Sequence, residues 1–386
     1  MLPKGKITLC VIFPAFAGVF AWASLARARP AETPDPGPSV SPHPTEFEDE
    51  LERDFTLRTI GQLQITNMRG NVVVQGWAMD KIRVRATRKA VAATEGEAKS
   101  LFSALDFRYQ SSQGNIELSA EYGRGLSIED RLKERENPKT SMEMQVFAPA
   151  NLSLRVWAVD GNVTVKGWNA DLEVRTASGP ILAEGLRSPT VSLLCSTCTM
   201  QVKSAKKAQS LRCMGGSGAI TIQDVAGSQV YAESSSGAIR LAGISGEQLY
   251  VSKSGPITGG KLKGRIEFHT LQAPVEIEDS RGFVSGRTET GNIIARMKDW
   301  VFSDRALIES VKGSIELDLP QGFSGDVDVW SLSGKANVDF PMTPEGVSST
   351  AIGPEPANHL LGRVGTGGGL LKIFSERGDI RVEHGS

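Results

Sequence analysis

The stretch Trp157–Trp168, WAVDGNVTVKGW, repeats a phrase already written at Thr66–Trp77, TNMRGNVVVQGW. A catalytic loop is usually needed once, whereas a packing unit can be used many times. Aligned on the first glycine, the phrase returns as GPILAEGL at 179, GAITIQDV at 218, GAIRLAGI at 237 and GPITGGKL at 255. It continues as GNIIARMK at 291, GSIELDLP at 313, GKANVDFP at 334 and GDIRV at 378. Two copies, CTMQVKSA at 198 and APVEIEDS at 273, have lost the glycine. From 161 to 291 the steps are 18, 19, 20, 19, 18, 18 and 18 residues. A fixed period of this size marks a solenoid.

Within each unit the apolar residues alternate, as at Val163 and Val165, Ile220 and Ile222, or Ile239 and Leu241. Alternation of period two is the pattern of a half-buried strand. A second short alternation follows, at Leu172 and Val174 or Ile266 and Phe268. The expected fold is an all-β, parallel β-solenoid of two-strand rungs, stacked about 4.8 Å apart. The glycine follows Ser or Thr in TASG, GGSG, SSSG, SKSG, TETG and SLSG. The sequence therefore places a sharp turn there, with glycine chosen for positive φ. Stacking would set Ser178, Ser217, Ser236, Ser254, Thr290 and Ser333 in a column. That column satisfies turn backbone groups; a flat hydroxyl face for ice or glycans is the functional alternative.

The flanks read differently. Lys4 and Lys6, an apolar run, and Ala26-Arg27-Ala28 make residues 1–28 a signal peptide; the same run could instead stay as an uncleaved N-terminal anchor helix. Prolines at 30, 34, 36, 38, 42 and 44 make residues 29–50 an extended spacer. Residues 51–160 form an N-terminal β region. It carries a helix at about 94–106, opened by a capping box of Thr94 and Glu97, and a charged insertion at 126–140. Solenoid repeats fill 161–341, a loop 342–363, and closing strands 364–386.

The phrases GNVVVQGW and VFAPANLSLRVWAVDGNVTVKGW, the repeated SG-x-I units and the ending GRVGTGGGLLKIFSERGDIRV resemble the adhesin-like family of bacterial β-strand-repeat proteins, a domain of unknown function. The resemblance spans roughly 55–385. It implies an exported β-solenoid without known catalytic residues, so no functional residue is carried over. The cysteines at 195–213 and the charged insertion depart from the pattern.

Little in the chain points to chemistry. Net charge is −1, and no basic face suggests nucleic acid. His43, His269, His359 and His384 lack metal-ligand spacing, and no cofactor motif is present. Asp224 and Asp279 take equivalent repeat positions, which suits a solvated turn better than an acid/base pair. Trp77 and Trp168 fill the place held elsewhere by Leu186, Val225, Ile244 or Leu262. They read as apolar plugs, with ligand-stacking as the alternative role. Among the cysteines, Cys195–Cys198 would clip one turn and Cys195–Cys213 would tie adjacent rungs, two residues out of register. An exported protein favours a bridge, and one thiol is left over.

The reading is an exported, non-enzymatic envelope or cell-surface scaffold. Its expected place is the periplasm or the cell surface, and its partner a surface glycan, a protein or another envelope component. Once the signal is cleaved, no membrane span is expected. The rival readings are a carbohydrate-active β-helix enzyme and an envelope-stress sensing component that binds a membrane partner.

Overall fold

The computed structural model describes residues 44–57, 61–112, 114–123, 127, 139–301, 305–344 and 358–384. The signal peptide, most of the spacer and nearly all of the charged insertion lie outside these residues. Among the described residues there is one helix, and none long and apolar enough to cross a membrane.

The repeats are rungs of a flattened coil with two sheets, here face A and face B. In face A, Ser153–Asp160, Leu172–Thr176 and Thr190–Cys195 lie parallel and in register. In face B, Val163–Lys166 and Ile181–Leu186 do the same. Further along, Met200–Gly215, Ile220–Ser234 and Ile239–Ser252 each bend round one corner and contribute to both faces. Inward side chains alternate with outward ones. Val163, Val165, Val174, Ile220, Ile222 and Ile239 are all completely or almost completely buried, in a largely aliphatic interior that also holds Phe268 and a Tyr250–Gln248 hydrogen bond. Burial of this kind stabilises by about 1.5–3 kcal/mol per large side chain.

The two Gly-Asn-Val phrases are spatial neighbours. Val72 pairs with Val163 and Val74 with Val165, and the Asn162 N–H donates to Asn71 Oδ1 at 2.9 Å. The first glycine of the phrase is required by close approach more than by conformation. A Cβ on Gly237 would lie 1.9 Å from the Gly218 carbonyl oxygen, and one on Gly255 would lie 2.1 Å from that of Gly237. Only Gly70 and Gly161 of this column have positive φ. The left-handed position comes six residues later, at the corner. Gly167, Gly185 and Gly243 occupy it, and so do Asp224, Lys261 and Asp279. The expectation of positive φ was thus placed on the wrong glycine. It also gives Asp224 and Asp279 a structural place, since Asp is among the side chains that tolerate such backbone.

The hydroxyls of Ser178, Ser254 and Thr290, each just before the turn glycine, bond to the preceding rung. Ser178 Oγ donates to the Val159 carbonyl at 3.1 Å and Ser254 Oγ to the Ser235 carbonyl at 3.3 Å. A second, buried column stands three residues before the glycine. Thr176, Ser252 and Thr270 donate to the carbonyl of residue i+3. At Thr288, Ser310, Ser331 and Ser375 the hydroxyl accepts the glycine N–H instead.

The ends break the sequential order. The first rung, Gln62–Arg69 with Val72–Trp77, is second in the stack. Outside it lie Asn115–Tyr122 and Thr140–Pro149. At the other end the last rung, Leu370–Ser375 with Ile380–His384, is inserted between Arg305–Ser310/Ile315–Leu319 and Gly325–Ser331/Ala336–Val338. Each end is then closed by antiparallel strands. Leu105–Ser112 and Asn358–Val364 cover face A; Lys81–Ala92 and Thr45–Thr56 cover the start of face B.

Several boundaries move as a result. Thr45–Thr56 begins inside the stretch read as spacer, because its acidic residues pair with a basic strand: Asp54 with Lys81 and Arg83, Glu52 with Arg85. Two strand pairs within residues 51–160, Gln62–Arg69 with Val72–Trp77 and Asn115–Tyr122 with Thr140–Pro149, are rungs of the same coil as the repeats. Asn358–Val364 is a strand that begins within the stretch read as a loop. The helix is Glu95–Ala104, with the Thr94 side chain accepting the Glu97 N–H. It packs Ala98 against Ala90 and Ala92, with Phe47, Leu101 and Phe102 around them.

Candidate functional site

The sequence-derived sites separate on exposure. Trp168 is completely buried, and its indole N–H donates to the Leu152 carbonyl at 2.9 Å. It plugs a corner and cannot stack on a ligand, which corrects the alternative role considered for it. Trp77 is half-buried. Its N–H donates to the Lys81 carbonyl at 2.8 Å and its ring stacks on Phe147 at 5.6 Å. Lys81 stands over that ring as well. The Trp77 ring therefore already has two protein neighbours.

Cys195 and Cys198 are joined by a disulfide with Cα atoms 5.7 Å apart. Cys195 aligns with Thr176 in the buried hydroxyl column, and Cys198 replaces the glycine. The Cys198 N–H points at Cys195 Sγ, 2.8 Å away, just as the Gly291 N–H points at Thr288 Oγ1. The pair is a covalent version of the hydroxyl-to-turn bond of the other rungs. Cys213 aligns with Leu193, whereas Cys195 aligns with Gly215, so Cys195 and Cys213 are two residues out of register. Burial pushes the Cys213 thiol up to about 12, which keeps it neutral and unreactive. His359 accompanies Asp328 at 2.8 Å on face A, and His384 packs against Phe340. Among the described residues no group of three or more His, Cys, Asp or Glu side chains could hold a metal ion.

The outer surfaces of the two faces differ in character. Face B is largely polar, with ion pairs laid from rung to rung. Arg296 alone reaches Glu278, Glu316 and Asp318 at 2.8, 2.9 and 3.3 Å. A surface hollow of about 670 Å³ opens near its N-terminal end, between Glu52, Asn71, Arg85 and Glu143. Arg85 already meets Glu52, and Glu143 lies near Lys89.

Face A instead carries one long outward column, preceded at its first strands by the polar Thr66 and Ser119. It starts at Trp157 and passes Arg175, Leu194, Met214, Glu233 and Val251. It continues through His269, Arg287 and Glu309 to Phe374, Trp330 and His359. Trp157 is 40 % exposed, beside Val159 at 42 % and Met68 at 47 %. At the far end Trp330 packs edge-on against Phe374, 5.2 Å between centroids. Trp157 stands in the phrase that reveals the repeat, yet its role escapes a search for motifs. Its signal is parity: it lies between Val156 and Ala158, both buried, and so must point outward.

A family model described as Toastrack DUF4097 matches residues 60–383. No curated protein matches the chain. Solved structures similar to it include one from Clostridium sporogenes, provisionally named a cell adhesion protein. It has 9 % identity and a TM-score of 0.23, and the match covers 88 % of this chain and 100 % of that one. A Bacteroides fragilis protein, provisionally named an adhesin, has 12 % identity, covers 66 % and 97 %, and scores 0.29. A Parabacteroides distasonis protein, provisionally named lipid-binding, has 12 % identity, covers 69 % and 96 %, and scores 0.32. Likeness at these scores carries no functional argument.

Proposed function

The chain belongs to the Toastrack DUF4097 family, and from that premise we propose an exported, non-catalytic scaffold of the cell envelope or surface that binds its partner through face A. The observation that carries this reading is the outward column of face A. A sheet face with Trp, Leu, Met, Val and Phe at its outward positions, next to arginines, has the composition of a recognition surface. Face B offers less, because its exposed side chains are mostly polar or charged, with Arg296 held between Glu278, Glu316 and Asp318. Export is supported by the character of residues 1–28. The partner class is a surface glycan, a protein or another envelope component.

Binding of the purified chain to isolated cell-envelope fractions tests this. Trp157→Ala and Phe374→Ala on face A should each weaken binding about tenfold or more, as hot-spot aromatics do. Arg240→Ala on face B should leave it unchanged. Equal binding by all three variants would remove face A from the function.

A further inference from the structure

We propose that the part of face A from Ser153–Asp160 to Ile239–Ser252 is a self-complementary interface, on which a second copy of this chain lies face to face with its rungs running in the opposite direction. The proposal rests on the reading of face A as the binding face, and it names the occupant of that part. Across six consecutive rungs the outward column reads Trp157, Arg175, Leu194, Met214, Glu233, Val251. Place a two-fold axis parallel to the strands, between Leu194 and Met214. Leu194 then meets Met214 of the second copy, Arg175 meets Glu233, and Trp157 meets Val251. Each contact occurs twice, as an isologous interface requires.

The match is specific to that register. Moving the axis by half a rung sets Glu233 against Leu194 or against Trp157, which desolvates a carboxylate on an apolar side chain. In the adjacent outward column the same axis sets Arg155 against Leu249, Glu173 against Tyr231 and Ser192 against Arg212, so no like charges meet. Six of the twelve positions in the two columns are Trp157, Tyr231, Met214, Arg155, Arg175 and Arg212, residue types enriched at interfaces. Parallel strands in facing sheets also suit the aligned packing of β-sandwiches, with the sheets about 10 Å apart.

The extent of the patch sets the strength. Six rungs at about 4.8 Å, each about five residues wide at roughly 3.3 Å per residue, cover about 500 Å² of each copy. That is the low end of specific interfaces, so the dimer should be weak and reversible. Arg175 is exposed and lies 2.5 Å from Glu173, while Glu233 accepts a bond from the Tyr231 hydroxyl at 2.6 Å. Both charges are positioned by a neighbour two residues away on the face that the second copy would meet.

Sedimentation velocity of the purified chain across a micromolar concentration series tests the proposal. The wild type should pass from monomer to dimer. Arg175→Glu alone and Glu233→Arg alone should each stay monomeric, because each sets like charges together. An equimolar mixture of the two variants should form a heterodimer, since every contact then joins Glu to Arg. The chain carrying both changes should dimerise by itself. Thermal melts check that these surface changes leave the fold intact. A wild type that stays monomeric throughout, single variants that dimerise like it, or a mixture no more associated than its parts would each overturn the proposal. A monomeric wild type whose envelope binding still depends on Trp157 would sink the dimer and spare the binding reading. A dimer without envelope binding would do the reverse.

Discussion

The middle of the coil and its two ends are made of the same rungs but are ordered by different rules. Between residues 161 and 300, sequence order is spatial order, and each rung lies on its predecessor. At the ends the order is exchanged: the first rung is second in the stack and the last is second from the far end. A repeat protein normally frays from its terminal rungs, because each touches only one neighbour. Here the rung nearest each end of the described chain has a neighbour on both sides. The outermost strands Asn115–Tyr122, Thr140–Pro149 and Gly325–Ser331 are covered by antiparallel strands, which shield edges that would invite pairing with other chains.

The largest single-residue effect is expected in the middle. Ile239 is completely buried and Arg240 points outward. Ile239→Asp should cost about 3–5 kcal/mol, the scale of an uncompensated buried charge, while Arg240→Asp should stay within about 0.5 kcal/mol. Urea melts of both variants measure the contrast, and similar midpoints would contradict the inward assignment.

Glycine substitutions extend the test to an end. Gly237→Ala puts a Cβ 1.9 Å from the carbonyl oxygen of Gly218, in the rung before it. Gly334→Ala puts one 2.3 Å from the carbonyl oxygen of Gly378, in the closing segment. Each should cost about 1–3 kcal/mol as an overpacked site does. Gly260→Ala, with open space around it, should cost far less. A harmless Gly334→Ala would mean that the closing rung is not inserted beneath it.

A smaller effect is expected at the disulfide. Cys195→Ser together with Cys198→Gly restores the hydroxyl-and-glycine pattern of the other rungs. The bridge closes a very short loop and so constrains the unfolded chain little. The regained hydrogen bond contributes about 1 kcal/mol. The double variant should therefore melt within about 1 kcal/mol of the oxidised parent, whereas Cys195→Ala with Cys198→Ala should fall further. Equal losses in the two would show that the hydroxyl column does not support the turn.

Legibility followed the same division. The alternation of Ile239 and Leu241, the rung period, and the capping box at Thr94 and Glu97 are local signals, and the coil and helix follow from them. Insertion of Leu370–Ser375 beneath Gly325–Ser331 is a contact between segments far apart in sequence. Both are ordinary alternating strands, so nothing local distinguishes their order. The two Val-rich phrases at 72 and 163 did carry such a signal, because near-identical sequence suits stacking on itself. Among candidate site residues, Trp168 was legible as a plug because Leu186 and Ile244 hold its place elsewhere. Face A was not. Its column becomes visible only when outward residues of many rungs are set side by side, and that needs the register.

Paired deletions test the interlocked coil most directly. Removing residues 237–254 deletes one middle rung of 18 residues and rejoins Ser236 to Gly255, which restores the repeat phrase. Removing residues 365–386 deletes the inserted closing rung, with Leu371, Ile373, Ile380 and Val382, all buried. It also leaves Gly325–Ser331 without its parallel neighbour. In urea melts followed by circular dichroism, the shortened coil should fold cooperatively with a modest loss. The truncated chain should lose about 6 kcal/mol or more, from four buried side chains at about 1.5–3 kcal/mol each. Chain ends usually tolerate removal better than chain middles, so this order is the reverse of the ordinary one. A truncated chain that melts like the intact protein, or a rung deletion that unfolds it, would contradict the account.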